Sequence, residues 1–385
     1  MTTSVTSKMR WRRALRAYQR GRQTPHRHSV CNAPLTNLYF SVDGQASPCW
    51  LYFPAEPPRW GPNRSISDIW HGPEFEEVRD ALAKSQFIGR CGGCRHEVAT
   101  GNRPLAAAYD NEHPIGDWPT MLELELSNLC NLECTMCHGR LSSKIRKNRE
   151  HKPPLVSPYD ESFVDQLEEL IPHLREVRFN GGEPLLHGIV HEITERIAAI
   201  NPGLKVTIAT NGTVLNDKVR RMLERCNVHV NLSLDSLVPE RYEEIRIHSD
   251  FGKVMANFEE FNAYCQDNGS DLCIMVNPMR MNWKEMNDYV WWATEHKTRL
   301  WFNTIREPAH LALHNLPHVE LAAIHETMSS LPLPATTDGP ADTALRANLG
   351  MYRGWLRLIA TWRDEAAHVR PGVPVAVRAS RSPAG

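Results

Sequence analysis

From Met121 to about Ile305 the chain alternates short apolar runs with longer amphipathic stretches. The short runs are MLELELS, EVRFN, KVTIATN, HVNLSLD, LCIMVN and LWFNTI. Their length, β-branched content and two-residue alternation predict strands. The stretches between them follow the helical period. In PLLHGIVHEITERIAAI, Leu186, Ile189, Val190, Ile193 and Ile197 share one face, and Pro202-Gly203 ends the element. Six strand–helix units predict a parallel sheet with helices outside it, by analogy with half-open α/β barrels. Functional loops then belong at the C-terminal ends of the strands.

The flanks read differently. Residues 29–95 form a small α+β module: LYFSVDGQASPCW predicts a hairpin turning at Asp43-Gly44, and Pro73 is placed to start a helix through EFEEVRDALA. Residues 96–119, mixed and carrying Gly, Pro and Asn, read as a linker, and the barrel occupies 120–310. Residues 311–368 are expected to be helical and 369–385 a disordered tail. Residues 1–28 hold eight Lys or Arg and no acid, which reads as a flexible basic arm or a short surface helix.

Composition narrows the classes. The formal net charge of -1 over 385 residues gives no reason to expect a nucleic-acid or anionic-membrane partner. No apolar run is long enough to span a bilayer, and the basic N-terminus lacks the apolar core of a signal peptide, so the expected location is the cytoplasm. Thiols stay reduced there, so clustered cysteines point to metal or redox chemistry rather than disulfides. Seven of the ten cysteines cluster; Cys226, Cys265 and Cys273 stand alone in apolar or helical surroundings and read as small core residues.

Cys130, Cys134 and Cys137 lie in CNLECTMC, directly after the first strand of the barrel. A structural zinc site closes with four ligands, and the next cysteine along the chain is the distant Cys226. Three thiolates on a cubane cluster leave one iron open to a small molecule. His138, next in sequence, reads as a loop histidine. FNGGEP ends the second strand: Gly181 and Gly182 permit close approach to the backbone, Glu183 can accept from an ammonium group, and Pro184 opens a helix.

This constellation resembles the radical S-adenosylmethionine (SAM) superfamily, whose pattern is Cys-x3-Cys-x-aromatic-Cys; Met136 stands here at the aromatic position. The resemblance implies a partial (β/α)6 barrel and a SAM-binding [4Fe–4S] cluster on Cys130, Cys134 and Cys137. It implies SAM contacts from Gly181, Gly182 and Glu183, from Asn211 in ATNGT, from Ser233 in LSLDS and from Arg246. Asp235 reads as a cap for the next helix. For Arg246 a solvated helix face is the competing reading.

Cys31 and Cys49 fit Cys-x12-Gly-x4-Cys through Gly44, and Cys91 and Cys94 form CGGC. The pattern resembles the twitch module, the half-sized relative of the SPASM domain, placed here before the barrel. That resemblance implies an auxiliary [4Fe–4S] cluster on these four cysteines. The expected function is a radical SAM enzyme, an oxidoreductase or maturase acting on a peptide or small metabolite by dehydrogenation, epimerisation or crosslinking. The auxiliary cluster would accept or relay an electron, and flavodoxin or ferredoxin would supply reductant. The alternative is a non-enzymatic protein stabilised by zinc or an iron–sulfur group that binds a partner or nucleic acid. The Trp-rich NDYVWWATEHKTRLWFN is a candidate pocket wall, although Trp and Phe at this density are more often core.

Overall fold

The computed structural model describes residues 2–52, 54, 56–101, 107–336 and 343–367. Eight strands are present: β1 (Asn37–Phe40), β2 (Ala46–Ser47), β3 (Met121–Leu124), β4 (Glu176–Phe179), β5 (Lys205–Thr210), β6 (Asn227–Ser233), β7 (Leu272–Val276) and β8 (Arg299–Phe302). Each of the six barrel strands read from the sequence is there. The strand–helix alternation from β3 to β8 is that of the expected partial barrel. The chain divides into two compact units, Met1–Glu133 with Cys137–Val230 and Tyr264–Ser270, and Cys134–Met136 with Asn231–Ala263 and Asp271–Gly385. Strand β6 runs from one into the other.

In the first unit the strand order is β2-β1-β3-β4-β5, continuing to β6. β1 and β2 pair antiparallel, with Gly44 in the turn at φ +81°. β1 also pairs parallel with β3, Leu38 opposite Leu122, so the hairpin extends the barrel sheet. β3, β4 and β5 are parallel, with Leu122 opposite Val177 and Val177 opposite Val206. The covering helices bury apolar faces, Phe163, Val164, Leu167 and Leu170 on Glu161–Leu170 and Ile189, Val190, Ile193 and Ile197 on Gly188–Ile200. Leu186, expected on the second face, instead ends the short turn Pro184–Leu186 before that helix and is exposed. Asp160 and Asn216 cap their helices by accepting from two main-chain N–H groups each.

The basic arm is not free. Thr2–Gly21 is a helix. Tyr18 is buried and donates to Val30 O at 3.1 Å, and the Trp11 and Phe87 rings meet edge to face. Arg22 reaches Asp110, in the stretch read as linker, at 2.5 Å, with both side chains almost wholly buried. Of the two readings of this stretch, the surface helix is the one present and the flexible arm is corrected: the stretch is anchored by two buried polar contacts, while Arg10, Arg12, Arg13, Arg16 and Arg20 face solvent. Arg22→Ala leaves the Asp110 carboxylate buried without its partner. A destabilisation of about 3–5 kcal/mol is expected in denaturant unfolding, against less than about 0.5 kcal/mol for Arg16→Ala on the exposed face.

In the second unit, β6, β7 and β8 follow in order, with β7 and β8 parallel and Ile274 opposite Leu300. The expected helical region supplies His318–Ser330 and Thr343–Ala367. The buried Asn348 amide accepts from Leu300 N at 2.8 Å and donates to Thr298 O at 3.0 Å, pairing main-chain groups at the last strand. In the Trp-rich stretch, Tyr289 is buried and donates to Leu234 O, while Trp292 packs between Phe258 and His296. No helix among the described residues is long and apolar enough to cross a membrane. The tail expected to be disordered, 369–385, lies outside the described residues.

Candidate functional site

The loop after β3 is held from several directions. Ser143 Oγ accepts from Cys130 N at 3.2 Å and donates to Cys130 O at 3.3 Å. Ser142, the N-cap of Ser143–Asn148, donates to Leu132 O at 2.7 Å. Asn128 Nδ2 donates to Gly139 O, and Gly139 N to Glu150 at 2.7 Å. Asn148 and Arg149 clasp the buried Glu133. Cys130 and Cys137 are half-buried at the two ends of this braced loop. His138 has an exposed side chain, and its carbonyl accepts from Leu141 N and Ser142 N.

The turn after β4 packs directly on that loop. Gly181 and Gly182 have φ of +75° and +54°. A Cβ on Gly182 would stand 2.4 Å from Leu129 O, and one on Gly181 would stand 3.0 Å from Glu125 Cβ. The close approach read from the glycines is therefore made, in the folded chain, by the loop's own backbone. Glu183 N donates to Leu129 O at 2.7 Å and locks the two segments together. A cavity of about 190 Å³ opens beside this junction, lined by residues including Ser127, Leu129, Gly181 and Glu183.

Glu183 is 1% exposed, and its carboxylate accepts from Leu185 N, from Thr210 Oγ1 at 2.8 Å and from Asn211 N at 2.7 Å. Its firmest contacts are thus with the end of β5. Those contacts aim Asn211, whose Nδ2 meets Asn131 Oδ1 at 3.0 Å and lies 3.9 Å from Cys130 Sγ. Thr213 Oγ1 donates to Asn211 Oδ1 and accepts from Asn131 Nδ2, completing a polar triangle. Asn131 and Thr213 were not singled out in the sequence. Asn131 lies in CNLECTMC and Thr213 in ATNGT, and only their polarity signals them.

In the second unit, Thr135 N donates to Ile245 O at 2.9 Å, and Met136 packs on Ile245, Met279 and Leu311. Arg246 ends the helix Pro239–Ile245 and is 6% exposed, so the solvated-face reading is excluded. Its Nη2 lies 2.7 Å from Asp235 Oδ2, and its Nη1 lies 4.0 Å from Cys134 Sγ. Burial opposes the guanidinium charge, but Asp235 and the Cys134 sulfur more than offset it and raise its pKa. Asp235 caps no helix, contrary to the sequence reading. It is wholly buried, and its Oδ1 accepts from Asn277 N and Nδ2. The helix instead starts after Val238, with Pro239 in its first turn. Ser233 is the half-buried last residue of β6.

The remaining four clustered cysteines line one apolar pocket, Cys31, Cys49, Cys91 and Cys94 with Tyr52 and Tyr109 among its other lining residues. Burial, then the neighbouring Cys31 sulfur, pushes the Cys91 and Cys94 thiols up to about 12. Burial likewise raises Cys31 and Cys49. Four soft donors facing an apolar common space suit an iron–sulfur group that neutralises thiolates as it binds. Among the described residues no three His, Cys, Asp or Glu side chains are drawn together closely enough to hold a single metal ion. Tyr109 leaves this cavity towards the barrel: its hydroxyl donates to Glu123 at 2.5 Å, which also accepts from Asn37 Nδ2. Burial raises the Glu123 pKa.

A family model described as the radical SAM superfamily matches residues 124–289, and one described as an iron–sulfur cluster-binding domain, SPASM, matches residues 31–95. These ranges contain all seven clustered cysteines. The chain is 31% identical over 170 residues to a GTP 3′,8-cyclase of Rhizobium etli (strain CIAT 652), covering 42% of this chain and 45% of the relative. It is 30% identical over 188 residues to a GTP 3′,8-cyclase of Streptomyces coelicolor (strain ATCC BAA-471 / A3(2) / M145), covering 48% and 52%. It thus spans about half the length of these relatives. The crystal structure of Streptococcus suis SuiB bound to S-adenosylmethionine aligns with 72% of this chain and 64% of that chain, at 16% identity and a TM-score of 0.42.

Proposed function

We propose that this chain, which the radical SAM family model matches over residues 124–289 and the SPASM model over 31–95, is a radical SAM enzyme that abstracts a hydrogen atom from a peptide or small metabolite. The observation that carries the reading is the seating of the three-cysteine loop on the Gly181–Glu183 turn, through Glu183 N to Leu129 O. Cys130, Cys134 and Cys137 would hold the cluster that binds SAM. When bound and reduced, that pair supplies a 5′-deoxyadenosyl radical as the hydrogen-abstracting agent.

The chain's own residues orient this chemistry. Ser143 and Asn211 fix the Cys130 end of the loop, and Glu183 holds Asn211 in place while keeping the turn closed. Gly181, Gly182, Glu183, Asn211, Ser233 and Arg246 are the proposed residues around SAM. Cys31, Cys49, Cys91 and Cys94 would hold the auxiliary [4Fe–4S] group as electron acceptor or relay, and with all four corners ligated by the chain it would leave no iron open to substrate. A flavodoxin or ferredoxin is the proposed reductant. The outcome on substrate is dehydrogenation, epimerisation or crosslinking.

The test is anaerobic purification, reconstitution with iron and sulfide, reduction with dithionite and measurement of 5′-deoxyadenosine. Cleavage of SAM is expected, and a protein that holds zinc and no iron refutes the proposal. In the same assay, Cys31→Ala combined with Cys94→Ala is expected to remove about half of the bound iron and to leave SAM cleavage standing. Unchanged iron content removes the auxiliary group from the reading.

A further inference from the structure

We infer that the Arg246–Asp235 pair sets how readily iron bound at Cys134 accepts an electron. The inference rests on the proposed role of Cys134 as an iron ligand and adds to it a second residue behind the sulfur. Arg246 Nη1 lies 4.0 Å from Cys134 Sγ in a buried setting. Asp235 Oδ2, 2.7 Å from Nη2, holds the guanidinium from the other side. Asp235 is itself fixed, because Asn277 N and Nδ2 both donate to its Oδ1 at 2.7 and 2.9 Å. Asn282 Nδ2 donates to its main-chain oxygen at 2.7 Å. The arrangement runs from the end of β7 through a carboxylate and a guanidinium to a sulfur.

A buried ion pair is poor evidence for stability, since an apolar pair of similar size commonly serves the fold as well. Its aim at a ligand sulfur has another consequence. Iron–sulfur potentials depend on net charge and on hydrogen bonds to the sulfurs. A positive group behind Cys134 favours the reduced, more negative state, and the Asp235 carboxylate tempers that effect. Arg246 Nε is buried without a hydrogen-bond partner, so only part of the guanidinium's donor capacity is spent on this contact. Arg246 is thus a positioning and tuning residue in the free protein, which differs from a role confined to gripping the SAM carboxylate.

The two charges act in opposite senses, and that makes the test decisive. The full-length reconstituted protein is titrated with dithionite at controlled potential, following the EPR signal that changes when SAM is added. Iron content and thermal melting are measured alongside. Arg246→Gln is expected to lower the reduced fraction at a fixed potential about tenfold, a shift of about 59 mV for one electron, with iron retained. Arg246→Lys should recover most of it. Asp235→Asn is expected to shift the potential the other way. Identical potentials in all variants overturn the inference, as do shifts of one sign in Arg246→Gln and Asp235→Asn. If Arg246→Gln fails to fold, Asp235→Asn decides alone, a rise supporting the inference and no change or a fall refuting it. A wild-type protein with no SAM-sensitive signal would instead show that the functional reading has failed.

Discussion

Cys130→Ala is expected to reduce 5′-deoxyadenosine formation to the level of a no-enzyme control while leaving the protein folded. The side chain is small and half-buried, and the backbone around it is held by other groups: Ser143 bonds its N–H and carbonyl, and Ser142 bonds Leu132. Removing the sulfur therefore removes the proposed ligand and not the loop. Circular dichroism and melting temperature should match wild type, and iron content should fall. Cys226→Ala is the control, because that thiol is buried with its Sγ 3.4 Å from Thr194 O, remote in sequence from the loop. It should lose some stability and keep SAM cleavage. Cleavage that persists in Cys130→Ala contradicts the ligand assignment.

The second large effect is expected from Gly182→Ala. The added methyl would meet Leu129 O at 2.4 Å, and main-chain oxygens cannot swing aside as a side-chain tip can. The φ of +54° is costly for any residue with a Cβ. Strain of about 1–3 kcal/mol from the backbone and a similar overpacking term add up to about 2–6 kcal/mol. Part of it will be relieved by parting the turn from the loop, breaking Glu183 N to Leu129 O. A lower melting temperature and weaker SAM binding are both expected, read by differential scanning and by titration. Gly350→Ala provides the contrast: it sits within Thr343–Ala367 with nothing within 4 Å of the added Cβ. It should be neutral or stabilising by up to about 1 kcal/mol. Equal behaviour of the two variants would show that the turn is not seated as described.

The six barrel strands, the face of Gly188–Ile200 and the start of Pro73–Ala83 were legible because each depends on neighbours within one turn or one pleat. The cysteine clusters were legible for a related reason, since ligand chemistry constrains residue type and spacing locally. Arg246 was only half legible: its candidacy came from a motif, while its burial and its partner did not. Asp235 was misread as a cap, because capping by Asp is a local habit that a guanidinium and the Asn277 main chain override here.

The arm at the N-terminus shows the same divide. Its charge pattern was plain, but Tyr18 and Arg22 bury themselves against Val30 and Asp110, and the latter is 88 residues away. By itself the sequence determined the kinds of element, their order, and the sulfur donors available for chemistry. Tertiary structure alone decided that Gly182 receives the cysteine loop and that Glu183 braces Asn211. It also decided that a buried guanidinium stands behind Cys134. The physical reason is that period and propensity are properties of adjacent residues. Close packing and the pairing of buried charge depend instead on which distant segments the fold brings together.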